Sequence, residues 1–501
     1  MTYEQIEKRY NKAKANKQLW ESHLRECYEY AMPQRNTIDK WSTGAKKRSR
    51  QHDSTAEEAL EDYANRMVAQ VIPPFVEWSK LKAGSEIPKE EKEKVDQALE
   101  ELTNIVFNHI NSSNLTAQAH DAFLDLGIST GALIIEEGDG IQSNLNFRAI
   151  SLSELYPEKS SKGTIETVFR EFKVPVGDIK DIWKNAKLTS NIKRLIKDSP
   201  TEEIGLIEGA VKEGNIFFSV LMYPAEKEFL IKQELEYNPY ILFRESVIPG
   251  ETIGRGRVMR QLSNIKSLNK MYEDYHRGLA WQANPLFTNT DDGNINPFTI
   301  QIKPGLNIPV QSNDRGNPSI ANLPVSGNPQ LLDFAIKNKQ DEIRKALLSS
   351  PFGNIEETPV RTATEMSIRN ADRAQSSLAS TARIRVELLD RLIANCVHIL
   401  KKAGKLPDIR VNGKEVKLKF VNPSTRQQDE AETAGYARFI ELTAPLGLDI
   451  VAQRVKIEDF PVELMDNLGL PEKLKRTEEE TAQLQQQEQE QLQRGQGGQQ
   501  V

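Results

Sequence analysis

The sequence predicts a mostly helical α+β protein, and three observations carry that expectation. Apolar residues recur at three- and four-residue steps through the first 130 residues and again after residue 363, the spacing of amphipathic helices. Between residues 144 and 244 the pattern changes to short apolar and alternating runs, which read as strands. Residues 249–366 then read as helix, small β insert, helix, Gly/Pro loop and the opening of a long third helix. Helices and strands segregated along a chain indicate an α+β body. The chain is organised around that last stretch.

Taken in order, residues 3–32 form a helix with Ile6, Tyr10, Ala13, Trp20, Leu24, Cys27 and Ala31 on one face, and Pro33 ends it. The basic segment KWSTGAKKRSRQ (40–51) reads as a solvated loop, with phosphate contact as the sharper alternative. Ser54 and Glu57 fit a capping box that opens a second helix, whose buried face is Leu60, Tyr63, Ala64, Met67, Val68 and Val71. Pro73-Pro74 stops that helix, and Trp78 and Leu81 anchor the next segment of chain. A third helix, Glu91–Ile110, places Val95, Leu99, Leu102, Ile105, Val106 and His109 on one side. A fourth, Ala117–Leu126, breaks at GISTG and passes into a buried strand, ALIIEE.

Strands are expected at LNFRAI, GTIETVFREF, NIFFSVLMY, KEFLIKQEL and YILFR, with DIKDIWKNA helical between them. In the lead ESVIPGETIGRGR, glycines 250, 254 and 256 permit unusual backbone angles. The first organising helix is Arg257–Trp281, striped by Val258, Leu262, Ile265, Leu268, Tyr272, Tyr275 and Leu279. The insert alternates at Phe298, Ile300 and Ile302 between turn signals, so its two ends should lie close in space. The second organising helix is Leu331–Ser349. The third is Ala363–Lys402, with Thr362 and Glu365 at its start and Leu378, Ile384, Leu388, Leu392, Cys396 and Ile399 on its apolar face. Gly404 and Pro407 end it, KEVKLKFVNPS returns as a strand, and 426–442 and 451–468 read as two more helices. From Thr477 the chain is Glu/Gln-rich and should be helical at first, then disordered at its Gly/Gln end.

Composition narrows the function. The 501 residues carry 66 Lys and Arg against 72 Asp and Glu, a net charge of −6. A protein that grips nucleic acid by neutralising phosphates is usually basic, so a tight binder is disfavoured. A conduit that lets nucleic acid slide past is not, and a mostly acidic wall would repel phosphate. Mean hydropathy is −0.56, and no apolar run approaches the ~20 residues that cross a bilayer. The opening MTYEQIEKRYNKAK has no apolar signal-peptide core. Two distant cysteines, Cys27 and Cys396, suggest neither a disulfide framework nor a zinc cluster, and point to a reducing cytoplasm.

The chemistry-bearing motifs are weak. Gly127-Ile128-Ser129-Thr130-Gly131 matches G-x-S-x-G, but a nucleophile elbow needs strand then helix, and here helix precedes strand. Gly254-Arg255-Gly256 lacks the third glycine of a dinucleotide loop, and no P-loop occurs. His109 reads as a packed helix residue. The acid pairs Asp291-Asp292 and Glu356-Glu357 read as solvated charge, with a bound cation left open. No catalytic residue, cofactor or metal site is assigned.

An ordered series of segments carries a resemblance: YEYAMP (28–33), DSTAEEA (53–59), IPPFVEWSKL (72–81), LGISTGALIIEE (126–137), NPYILFRESVIPGETIGRGRV (238–258), RTATEMSIR (361–369) and FVNPSTRQQ (420–428). Together they resemble the portal, or head-to-tail connector, proteins of short-tailed double-stranded DNA phages. One departure is Ser79 after Trp78, where the family usually shows a second aromatic. The resemblance implies an elongated subunit in a closed ring, usually of twelve copies, at one capsid vertex. Carried over by order, residues 1–255 are a wing, 256–283 a stem helix, 284–327 a clip, 328–349 a second stem helix and 350–362 a tunnel loop. Residues 363–422 are the long helix and return strand, 423–475 a helical crown and 476–501 the tail.

The implied function is a channel for packaging and ejecting double-stranded DNA, with no catalysis of its own. The implied partners are further copies of the chain, duplex DNA, a separate terminase motor, the major capsid protein, a scaffold and tail adaptors, with no membrane. The protein would sit in the virion, and in the host cytoplasm during assembly. Asn354, Glu356, Glu357 and Arg361 are the expected loop residues facing the duplex. Asp291, Asp292, Asn294, Asn313, Asp314 and Arg315 are the expected docking residues of the clip. The competing readings are another helical virion assembly protein, a scaffold or head–tail adaptor, and a serine hydrolase at Ser129.

Overall fold

The structure, a computed structural model, describes residues 1–39, 44–47, 51–83, 89–140, 143–161, 163–283, 287–289, 320–322, 329–347 and 382–407. It also describes a few short pieces beyond residue 409. The chain is mixed α+β with helix predominating, and it divides into two compact units. One comprises Met1–Trp20, Ala64–Gly256 and Val360–Val501, and the other Glu21–Tyr63 and Arg257–Pro359. Helices α1 (Tyr3–Ala31) and α2 (Thr55–Val71) contribute residues to both.

The first unit is built on a five-stranded antiparallel meander. Its strands, β4 (Leu155–Lys159), β5 (Ile165–Pro175), β6 (Glu203–Glu213), β7 (Ile216–Tyr223) and β8 (Glu228–Leu235), pair in that order. Successive side chains of a strand point to opposite faces, and both faces here are covered. Ile207, Val220 and Met222 face α1, where Ile6, Tyr10 and Ala13 complete a cluster with Tyr156, Phe169 and Val211. Leu206 and Leu221 face the other way, with Leu230, Val176, Ile179 and Ile192. Those last two lie on short helices α5 (Ile179–Ile182) and α6 (Ser190–Asp198), the latter capped by Thr189, whose hydroxyl oxygen accepts from the Ile192 amide.

The sequence reading did not include the central strand β6, nor β4 or α6. Strand β6 carries Gly205 and Gly209 and ends in charge at both sides, so its propensity is poor. The reason for Gly209 is tertiary: a Cβ there would lie 2.8 Å from the Phe169 ring. The expected DIKDIWKNA helix is a single turn, α5.

A second sheet orders β3 (Leu145–Ala149), β2 (Thr130–Glu137) and β9 (Tyr240–Arg244), all antiparallel. Helix α4 (Leu115–Ile128) packs on it, with Phe123 edge-on to Phe243 at 5.7 Å. Helix α3 (Lys89–Asn111) lies against strand β1 (Lys80–Ala83), and the two anchors hold as expected: Trp78 is buried edge-on to Phe107, and the Leu81 amide donates to Thr103. His109 is only half-buried, so it is not the packed core residue expected, and burial with nearby Lys405 holds its imidazole below the usual range.

Near the end of the described chain, helix α9 (Asp390–Lys402) is preceded by one widened turn, Arg385–Leu389. Ile384, Leu388, Leu392, Cys396 and Ile399 are all buried, as the periodicity predicts, and Gly404 ends the run at φ +68°. The strand expected after it appears as Leu418–Val421, antiparallel to β1. Thr362, Glu365, Leu378 and the tail lie outside the described residues, as do the helices expected at 426–442 and 451–468 except for a few positions.

Candidate functional site

The organising stretch belongs to the second unit. Helix α7 (Arg257–Ala283) and helix α8 (Pro329–Ala346) pack against each other, and the Arg257 guanidinium donates to the Ala346 carbonyl at 3.0 Å. The start of α7 therefore lies beside the end of α8, and the pair is an antiparallel hairpin. The ends of the insert are joined: Phe287–Asn289 (β10) pairs antiparallel with Ile320–Asn322 (β11), as expected for a module entered and left at one place. Phe298, Ile300 and Ile302 lie outside the described residues.

The apolar stripe of α7 is divided. Val258, Leu262, Ile265 and Leu268 are buried, whereas Tyr272 and Tyr275 are half-exposed and Leu279 is exposed. On α8, Ile336 and Ile343 are buried, as is Leu347 just after it, while Leu331 and Phe334 are 71% and 66% exposed.

A polar node fixes the hairpin. Asn269, buried on α7, accepts from the amides of His52 and Asp53 at 2.6 and 3.3 Å. One Asp53 carboxylate oxygen accepts from the Thr55 amide at 2.9 Å, holding the start of α2, and the other accepts from Gln340 of α8 at 2.9 Å. One short turn thus ties three helices, and no single-sequence signal marks Asn269 or Gln340 for it. The Ser54 hydroxyl donates to Glu58, one residue beyond the expected Glu57, whose carboxylate accepts from Gln51. In the basic segment 40–51, Lys47 donates to the Gln34 and Asn36 carbonyls, so that cation serves the loop itself.

The hairpin is not acidic. Helix α7 carries five Lys or Arg against two acids, and α8 four against three. The pair is thus net basic within a chain whose net charge is −6. Much of the charge is laddered: Lys270 with Glu273 and Asp274, Arg277 with Glu273, Lys337 with Asp333, Lys339 with Glu342. Such pairs at three- and four-residue spacing stiffen a helix locally. The hydrogen bond and charge of Asp333 raise the Lys337 ammonium above its ordinary range.

The motif at Ser129 has a structural use. Ser129 is buried, and its hydroxyl donates to the Gly254 carbonyl at 2.8 Å, while Thr130 accepts from the Gly254 amide at 2.9 Å. This turn joins α4 to β2, helix before strand, and its hydroxyl is committed to the backbone. Of the three lead glycines only Gly250 takes a positive φ, +95°. Gly254 and Gly256 are needed instead for close approach: a Cβ on Gly256 would lie 2.4 Å from the Gly127 carbonyl. The sequence reading also missed Arg244, which donates to Glu387 through its amide, Nε and Nη2, the last at 2.6 Å, and to the Thr252 carbonyl through Nη1. Glu387 sits in the widened turn before α9.

The site residues read from the resemblance, Asn354, Glu356, Glu357 and Arg361 in the loop and Asp291, Asp292, Asn294, Asn313, Asp314 and Arg315 in the insert, lie outside the described residues. No helix among the described residues is long and apolar enough to cross a membrane. What the described geometry offers is a structural subunit: its most conspicuous polar groups hold helices and turns in place. A family model for bacteriophage head to tail connecting proteins matches residues 3–475, and the chain belongs to that family. As a connector it is a virion assembly protein of a structural family, acting where head and tail join. No match is found among curated proteins.

Proposed function

We propose that copies of this chain close into a ring, in number about twelve, whose channel passes double-stranded DNA during packaging and ejection. A heterologous interface that closes generates such a ring. The observation that carries the reading is the α7–α8 hairpin with its pinched insert in a connector-family chain. Helices suit a channel wall because their backbone donors and acceptors are already paired along each helix and offer nothing for phosphate to catch. The mixed, laddered charge of the hairpin suits transit too: cations committed to neighbouring acids contact phosphate weakly.

In this reading residues 256–283 and 328–349 are the stem, 284–327 the clip that docks first a terminase motor and then tail adaptors, and 350–362 the loop against the duplex. Residues 1–255, which carry the two sheets, are the wing, and 423–475 form a helical crown. Capsid and scaffold proteins contact the ring during assembly in the host cytoplasm. Purified full-length protein examined by light scattering and negative-stain imaging should give closed rings with an axial hole. A strictly monomeric protein under all assembly conditions overturns the proposal. Arg361→Glu should leave rings intact and alter DNA packaging or retention; unchanged packaging removes the loop assignment.

A further inference from the structure

Three carboxylates and two guanidiniums share one seam of the first unit, where its two sheets meet. On the five-stranded sheet, Glu208 of β6 lies directly across from Arg170 of β5, with Leu221 of β7 opposite it on the other side. The second sheet brings Tyr240 from β9, Arg148 from β3 and Glu136 from β2 to the same carboxyl. Asn238, just before β9, donates to the Glu166 carbonyl of β5 at 3.1 Å, so the sheets are also tied at the entry to β9.

Both guanidiniums are already taken. Arg170 donates through Nε to Glu154 at 2.9 Å, and Arg148 through Nη2 to Glu136 at 2.8 Å. Glu208 is left 3.9 Å from Arg170, too far for a hydrogen bond. It is also the most enclosed of the three acids, its side chain 18% exposed against 39% for Glu154 and 40% for Glu136. The Tyr240 hydroxyl, buried on β9, lies near enough to serve Glu208 but with poor geometry.

Charge counting decides where a proton sits. Two cations neutralise two acids, and the third acid is uncompensated. An enclosed carboxylate without a counter-charge is neutralised by taking up a proton. Burial raises the Glu208 carboxyl above its ordinary range against the opposing pull of Tyr240, Arg170 and Arg148, and the Glu136 charge adds to the rise.

We propose that Glu208 holds a proton in the folded protein near neutral pH, and that losing it loosens the seam between the two sheets, a proton-controlled joint in the first unit. An ionised Glu208 is a charge that neither guanidinium can meet without abandoning Glu154 or Glu136. Water must then enter the seam, or β9 must draw away. Strand β9 ends in Arg244, which clamps Glu387, so movement there reaches the turn before α9. The joint belongs to a single subunit and stands whether or not subunits close into a ring.

Isotope-edited infrared spectra of the full-length protein at neutral pH should show a band from a protonated buried carboxyl, and Glu208→Gln should remove it. A wild type without that band overturns the proposal. Hydrogen exchange, corrected for its intrinsic pH dependence, should quicken in β6 and β9 of the wild type about tenfold or more between about pH 7 and about pH 9, and stay level in Glu208→Gln. Wild-type stability should fall relative to Glu208→Gln over the same range, because a group that binds its proton more tightly when folded loses that advantage as pH rises. Tyr240→Phe removes a hydroxyl that serves the ionised carboxylate. It should deepen the alkaline loss when Glu208 is present and have no pH-dependent effect in the Glu208→Gln background. Parallel pH profiles of wild type and Glu208→Gln overturn the joint. Should Glu208→Gln fail to fold, the wild type decides: a carboxyl band that titrates with no change of exchange in β6 and β9 overturns it equally.

Discussion

In the five-stranded sheet Phe169 is fully buried among Tyr10, Tyr156 and Ile207, with covered apolar layers on both faces. In the α7–α8 hairpin the half of α7 before Asn269 and the Ile336–Ile343 face of α8 are packed in this way; beyond Asn269, α7 shows tyrosines, Leu279 and a ladder of charges. The body therefore draws its stability from apolar burial, which is large and non-directional. The hairpin buries a shorter apolar seam and adds one polar node and local charge pairs, which are small and directional. In the proposed ring, the faces that the hairpin leaves open would meet other copies of the chain. What it needs from its own chain is correct orientation, and hydrogen bonds to a shared turn provide that.

The comparison can be broken most easily at Arg244. Removing this buried cation by Arg244→Ala leaves Glu387 in a partly buried site without its bidentate partner. Breaking a pair of this kind costs about 3–5 kcal/mol, and chemical denaturation should show it; a loss below about 1 kcal/mol would mean the body tolerates the change by solvating Glu387. Next, Asn269→Ala frees the His52 and Asp53 amides. The expected cost is about 1–3 kcal/mol, and hydrogen exchange should quicken in α7, α8 and the start of α2 while the sheets stay protected. Uniform loosening of both units would erase the distinction drawn here.

A smaller effect is expected at Glu171. Burial alone would raise its carboxyl, but hydrogen bonds from Lys14, Tyr10 and Tyr156 and the Lys14 charge outweigh that and hold it below the usual range. A carboxyl depressed in the folded state stabilises above its unfolded pKa and loses that contribution as pH falls through its folded value. The group is 40% exposed, so solvent screening keeps the contribution to about 1 kcal/mol or less. Wild type should therefore melt above Glu171→Gln near neutral pH, and the gap should close on acidification; a gap that widens in acid refutes the assignment. Smallest of all is Lys270→Ala. This fully exposed ladder residue should leave the melting temperature unchanged at physiological salt, because exposed pairs are screened.

How much was legible in the sequence obeys the same division. Strongly periodic stretches such as 257–268 and 384–399 gave both the helix and its buried face, because a 3.6-residue repeat of apolar side chains has one solution. The order helix, insert, helix was legible for the same reason, and the match of the connector family to residues 3–475 agrees with the ordered motifs. The central strand β6 was not legible, since Gly209 is required by the Phe169 ring across the sheet and weakens the local pattern that would reveal it.

Local rules, then, were enough for the strongly periodic helices, for most strands and for which face of each is apolar, and the ordered motifs were enough for the family that the chain resembles. They act between residues a few positions apart, and the chain carries them wherever it goes. Only the tertiary structure decided what Asn269, Asp53 and Arg244 do. Each meets partners from distant parts of the chain, and a polar side chain has no periodicity that names its partner. Its role is fixed by which donors and acceptors the fold leaves buried beside it, and folding must bring those together before the requirement exists.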